Sequence, residues 1–206
     1  MRISELSRVT GVPVATVKYY LREGLIPPGT ATGATQATYD ESHVVRLRLA
    51  RALIQVGGLS VAAARDVLAA LTTSDGSLHR VLGAAHSALS PPFADDHAPT
   101  RARELIDNWG WRVHPDAPAL NQLEHALRAL DDVGAPAGDE RLAQYADLAH
   151  RIAEVDVAGV PTTSTDEAAT TVVIGTVLWE PVLLSLRRLA QVAVSEEILD
   201  NQTRTG

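Results

Sequence analysis

Hydrophobic and polar positions recur along the chain with helical rather than strand-like spacing. Ile3, Leu6 and Val9 form one apolar stripe of a short helix, with Ser4 and Ser7 off the stripe and Ser4 placed to cap its start. Gly11 suits a left-handed helix end, and Pro13 can open the next helix, because the amide it lacks has no partner there anyway. This second helix is expected to bury Val14, Val17 and Leu21 and to turn Ala15, Thr16, Lys18, Tyr19 and Arg22 outward or sideways. Gly24 stops it, Tyr20 packs between helices, and Leu25 and Ile26 read as core. Small and turn-forming residues from Pro27 to Tyr39 predict a loop with a short hairpin. A third helix starts near Asp40–Ser42, with Val45, Leu49, Ala52, Leu53 and Val56 inward and Arg46, Arg48 and Arg51 on its polar side. Gly57 and Gly58 break it. Ser60 then caps a fourth helix that turns Val61, Ala64, Val67, Leu68 and Leu71 inward.

Thr72–Gly76 is a polar break and the expected domain boundary, giving a domain over 1–73 and a second over 74–206. The second domain has no strand alternation of any length. Helical windows cover Ser77–Leu89, Thr100–Trp109, Ala117–Asp132 and Glu140–Val157, with one or two more from Asp166 to Leu199. A capping box from Ser164 to Glu167 fits the start of the last group, and Pro181 ends one helix or opens the next. Val172 to Val194 is apolar nearly all round, which predicts a buried centre or a subunit interface. The predicted fold is all-α with a small β wing.

Two short helices flanking a Gly-Val-Pro turn, the second ending in Lys18, Tyr19, Tyr20 and Arg22, are how a chain presents one helix to the DNA major groove. Gly11-Val12-Pro13, Thr16-Val17-Lys18-Tyr19-Tyr20 and Glu23-Gly24-Leu25-Ile26-Pro27 resemble the opening of the MerR family of transcriptional regulators. Tyr39 to Val44 with Arg46-Leu47, and Gly57 to Val61 with Val67-Leu68, resemble the family's third helix, second wing and fourth helix. The resemblance covers roughly residues 1–71, in the right order. It implies a winged helix-turn-helix followed by a helical effector or dimerisation domain, in a homodimer bound to near-palindromic promoter DNA.

The DNA surface expected from the outward face and the resemblance comprises Ser4, Val14, Ala15, Thr16, Lys18, Tyr19, Arg22, Thr35, Gln36, Tyr39, Arg46 and Ser60. Lys18 could donate to guanine or to phosphate, and Tyr19 and Tyr39 could donate hydroxyl hydrogen bonds to phosphate. Lys18 stands where the family usually has Arg, and the wing between Pro27 and Tyr39 carries no Arg at all. The first departure removes planar two-pronged recognition, and the second lowers the salt dependence of binding. The family usually pairs its protomers through a long helix straight after the fourth. Here Ser77–Leu89 is cut short by Ser90-Pro91-Pro92, so Val172–Leu199 is the expected contributor to pairing. The resemblance also implies RNA polymerase as a partner when the promoter is distorted, with simple repression the alternative.

The net charge of −7 is unevenly spread. Residues 1–71 carry eight Lys and Arg against five Asp and Glu, whereas the remainder carries ten against twenty. The basic excess thus lies in the part that meets phosphate. Cysteine is absent, which excludes disulfides, zinc–thiolate sites and thiol-based sensing. The seven His have no spacing that makes a metal site, no cofactor is called for, and no hydrolase, zincin, dinucleotide or P-loop motif occurs, so an enzyme is not expected. No signal peptide is evident. Val172–Leu186, interrupted by Glu180 and Pro181, is shorter than a span of about 20 residues, so a cytoplasmic protein without membrane contact is expected. Trp109, Trp111, Tyr145 and Trp179 are candidates to line a pocket for a small-molecule effector; core anchoring is the alternative. Two rival functions stay open: a ligand-carrying protein or enzyme working through the second domain, and an architectural DNA-binding protein without an effector.

Overall fold

The computed structural model describes residues 1–33, 36–72, 78–89, 98–161 and 165–205. Thr35 of the wing and Ser164 of the expected capping box lie outside them. The order is α1 (Ile3–Thr10), α2 (Val14–Arg22), β1 (Thr30–Gly33), β2 (Gln36–Thr38), α3 (Glu41–Gln55) and α4 (Val61–Thr72). Then come α5 (Leu78–Leu89), α6 (Thr100–Asn108), α7 (Pro118–Asp132), α8 (Asp139–Ala158), α9 (Thr165–Val173), a π-helical turn (Ile174–Leu178) and α10 (Trp179–Thr205). The fold is all-α with a two-stranded antiparallel wing pairing Thr30 with Thr38 and Ala31 with Ala37.

The chain divides into two compact units, and the division differs from the expected one. One unit combines Met1–Ala69 with the chain from Val173 onward; the other is Ala70–Val172. The final helix therefore belongs with the N-terminal module, through a long-range contact that no local pattern encodes.

In the first unit Leu6, Val17, Leu25, Ile26, Val44, Leu47, Leu53, Val67 and Leu68 form a core with almost no exposure. Several expected positions shift. Ser4 is an interior residue of α1, whose N-cap is Arg2 without a side-chain bond. Val9 is exposed and Thr10 is buried in its place, four residues from Leu6, where its hydroxyl donates to the Leu6 carbonyl (2.7 Å). In α3 the buried face is His43, Val44, Leu47, Ala50 and Leu53, whereas Val45 and Val56 face solvent. Apolar residues occupy both helical phases of α3, so its own sequence leaves the rotation open. The start of α3 is fixed by Asp40, whose carboxylate accepts from the His43 amide (3.3 Å) and sits 2.7 Å from His43 Nδ1. As expected, Ser60 Oγ accepts from the Ala63 amide (3.1 Å) and caps α4.

Glu180 and Pro181 do not interrupt the C-terminal helix. Proline removes an amide and crowds the carbonyl four residues earlier, here that of Val177. The π-helical turn at Ile174–Leu178 supplies the wider i→i+5 pitch at that point, and the helix runs on. From Glu167 to Ile198 it is long and apolar enough to cross a membrane by length and composition, with 17% of its most apolar window buried. This overturns the expectation that the segment is too short. Its first part is seated inside the unit: Val173 and Val177 are fully buried, and a Cβ on Gly57 would lie 2.5 Å from Val177 Cγ1. Its second part is not a buried centre, because Val182, Leu184, Leu186, Leu189, Val192 and Val194 are all exposed.

In the second unit, α6 packs on α7 through Ala102, Ile106 and Leu120. The N-cap residue of α6, Pro99, makes no side-chain bond to the start of the helix. The buried Glu124 of α7 caps it instead, accepting from the Ala102 amide (2.9 Å) and from Arg128 Nε (3.0 Å). Burial alone would raise the Glu124 carboxyl, but these donors outweigh it and hold the group below its ordinary value.

Candidate nucleic-acid interface

The turn between α1 and α2 is short and rigid. Gly11 closes α1 at φ 67°, Val12 is buried, and Pro13 is the extended N-cap of α2. Thr10 Oγ1 accepts from the Val12 amide (3.4 Å), tying the turn to the helix before it. At its far end α2 closes with Gly24 at φ 74°, where the Leu25 amide donates to the Tyr20 carbonyl and the Gly24 amide to that of Leu21. This Schellman arrangement satisfies carbonyls the helix would otherwise orphan.

The three arginines of α3 anchor both ends of α2. Arg46 Nε donates to the Leu25 carbonyl just after α2 (2.9 Å). Arg48 and Arg51 donate to the Val9 and Thr10 carbonyls just before it (3.3 and 3.4 Å). Arg46 is half-buried, and burial holds its guanidinium below the ordinary value. Through its Nε it is a positioning residue of the module. The signal was present: three cations on a helix that follows two helix ends are well placed to donate to those ends' free carbonyls.

With its ends and inner face held, α2 presents Ala15, Lys18 and Arg22 to solvent and leaves Val14, Thr16 and Tyr19 half-exposed. Val17 and Tyr20 fill the core behind them. The guanidinium carbon of Arg22 lies 5.2 Å from the centre of the Tyr19 ring, a cation–π contact that orders both side chains. Its ion pair with Glu23 (3.5 Å) is exposed and weak. Lys18 has an open approach, on the face between Ala15 and Arg22.

The remaining expected residues separate. Gln36 is exposed on β2, in the wing, and Ser60 is exposed at the start of α4. Ser4 is exposed on α1. The ring of Tyr39 is mostly covered: the residue is 8% exposed, edge-on to His43 at 5.3 Å, with Gly29 against its ring. Its backbone exchanges hydrogen bonds with Met1, so it secures the wing to the start of the chain. The Tyr39 ring therefore belongs to the core.

The effector candidates also divide. Trp109 and Trp111 lie 5.4 Å apart, and Trp111 stacks on His150 at 5.7 Å. Tyr145 is half-exposed on α8, and Trp179 belongs to the other unit. A cavity of about 440 Å³ is lined by Trp109, Gly110, Trp111, Ala143, Ala146, Asp147 and His150. Asp147 and His150 were not anticipated; the readable signal was small Ala143 and Ala146 at helical spacing beside them. Among the described residues no cluster of three or more metal-ligating side chains occurs.

Residues 1–71 match the family described as "MerR HTH family regulatory protein". The chain is 40% identical over 47 residues to an HTH-type transcriptional regulator, a ZntR homolog of Haemophilus influenzae, covering 23% of this chain and 35% of that one. It is 36% identical over 69 residues to the HTH-type transcriptional regulator HmrR of Sinorhizobium medicae, covering 34% of this chain and 46% of that one. The chain thus spans less than half the length of either relative. A crystal structure from Streptomyces coelicolor A3(2), of SCO5550, provisionally designated a transcriptional regulator, is similar throughout. That match has 38% identity and a TM-score of 0.68 over 96% of this chain and 97% of that one.

Proposed function

Starting from a chain that carries the MerR-family helix-turn-helix at residues 1–71, we propose that it is a cytoplasmic, sequence-specific regulator of transcription that binds promoter DNA as a homodimer. The observation that carries this reading is the exposed Ala15–Lys18–Tyr19–Arg22 face of α2, backed by a filled core and anchored at both ends by Arg46, Arg48 and Arg51. Such a helix can be pushed into a major groove without rearranging. Lys18 and Arg22 reach base edges or phosphates, and Gln36 and the threonines of the wing meet the backbone through neutral hydrogen bonds.

Pairing is assigned to α10. Val182, Leu186 and Leu189 lie four and three residues apart, the spacing of a helix–helix seam, and all three are exposed in one copy. The occupant we assign is a second α10. Arg187 and Arg188 suit a helix flanked by protein and water better than one immersed in lipid. Val177, within the same helical run, is already committed to the protein core. Two copies joined in this way present two α2 helices to an inverted repeat.

The test is selection of binding sites from random duplex DNA, followed by Lys18→Ala and Tyr19→Ala, with sedimentation equilibrium on the free protein. Expected are an inverted repeat, weakened binding in both variants and a dimer. Unchanged binding in both variants would refute the reading surface. A monomer, or partition of the protein into vesicles, would refute the pairing.

A further inference from the structure

The cavity of the second unit has a composition that specifies an occupant. One wall is the segment just after α6, where Trp109 and Trp111 stand 5.4 Å apart around Gly110. The other wall is one face of α8. Ala143, Ala146, Asp147 and His150 are three, four and seven residues apart, so they line a single stripe. The two alanines leave the space; the indoles and the imidazole ring give it flat sides. The volume of about 440 Å³ falls within the roughly 300–1,000 Å³ of small-molecule sites.

The charge balance around the cavity is acidic. Asp147 is the carboxylate among the described lining residues, and the unit's residues 70–172 carry sixteen Asp and Glu against seven Lys and Arg. Such a field draws in cations. The existing partner of Asp147 is Arg151 (2.8 Å), but both side chains are well exposed, and pairs of this kind are readily exchanged. Indole faces add attraction for a cation seated over them. The wall formed by α8 is loosely held: of its side chains only Ala146 is buried, so a ligand bridging the indoles and α8 adds contacts the helix lacks.

We propose that the Trp109–Trp111–Asp147–His150 cavity binds a planar aromatic cation, stacked on the indoles with its charge toward Asp147, and that this ligand fixes α8. Only the regulatory consequence rests on the DNA-binding reading; the binding itself does not.

The test uses three flat tricyclic probes on the DNA-free full chain, followed by calorimetry and tryptophan emission: proflavine as cation, acridine as neutral ring and anthracene-9-carboxylate as anion. Trp179→Phe serves as background, so that emission reports Trp109 and Trp111. Proflavine should bind roughly tenfold more tightly than acridine, and the anion more weakly still. Asp147→Asn, a conservative change at an exposed position, should erase most of the difference between proflavine and acridine. Trp111→Ala should weaken both, with helicity checked by circular dichroism. Equal affinity for the three probes, no binding of any, or a proflavine preference that survives Asp147→Asn overturns the proposal. Each of these results leaves the site-selection experiment untouched, so the two readings fail separately.

Discussion

The adjacent glycines 57 and 58 are required for different physical reasons, and substitution separates them. A Cβ on Gly57 would lie 2.5 Å from Val177 Cγ1 and 2.8 Å from the Leu53 carbonyl oxygen. Restoring ordinary contact means moving the π-helical turn from α3 by roughly 1 Å, and overpacking of that kind costs about 1–3 kcal/mol. The alanine also restricts the unfolded chain, which returns about 0.4–1 kcal/mol. Gly57→Ala is therefore expected to lose about 1–2 kcal/mol, a factor of roughly 5–30 in the folding equilibrium. Gly58 has nothing within 4 Å, but its φ is +70°. Alanine there costs about 1–2 kcal/mol from backbone strain alone, and asparagine less. Urea unfolding should thus rank Gly58→Asn above Gly58→Ala, and Gly57→Asn below Gly57→Ala. Val177→Ala removes the Cγ1 atom but not the Leu53 carbonyl. In that background Gly57→Ala should cost less by about 1 kcal/mol without becoming free. The reasoning is refuted if Gly57→Ala is as stable as the parent, or if the cost is the same in both backgrounds.

Three further outcomes are expected. Lys18→Ala should weaken operator binding by about 1–3 kcal/mol if it reads a base, and Arg22→Ala should lower the slope of log affinity against log salt by about one; gel retardation across a salt series measures both. Tyr39→Phe should leave operator affinity at fixed salt unchanged, because the ring is core, and weakened binding would place its hydroxyl on the DNA backbone. Glu124→Gln should destabilise the second unit by about 1–3 kcal/mol, since the Ala102 amide and Arg128 lose their carboxylate. The folded-state carboxyl of Glu124 lies below its ordinary value. Its stabilisation is therefore fully present above about pH 5 and fades as the pH falls through the carboxylate range. Thermal melts of parent and variant should converge on acidification, and a gap that widens there contradicts the assignment.

The helix-turn-helix was legible because its signals are local. Gly11, Pro13 and Gly24 each dictate backbone conformation on their own, and Val17 and Tyr20 mark the inner face of α2. The rotation of α3 was not legible, because Val44, Leu47 and Ala50 compete with Val45, Leu49 and Ala52 for the same role. The role of Arg46 depends on the Leu25 carbonyl, twenty-one residues away in sequence. The second unit yielded its two tryptophans and not Asp147 or His150, since polar residues on an exposed helix look alike until a neighbour selects one face. An apolar stretch such as Val182–Val194 reads as interior by composition, yet one copy of the chain leaves most of it uncovered.

The seat between Gly57 and Val177 joins points about 120 residues apart along the backbone. During synthesis the ribosome emits α1 to α4 first, then the whole of residues 70–172, and only then the strand of chain that completes the opening module. The nascent N-terminal piece must wait with its Leu53–Gly57 notch vacant, and closing so large a loop is slow. Maturation of the reading head is in this way deferred until the chain from Val173 onward has been made, so a product truncated before Val173 emerges with that notch unfilled.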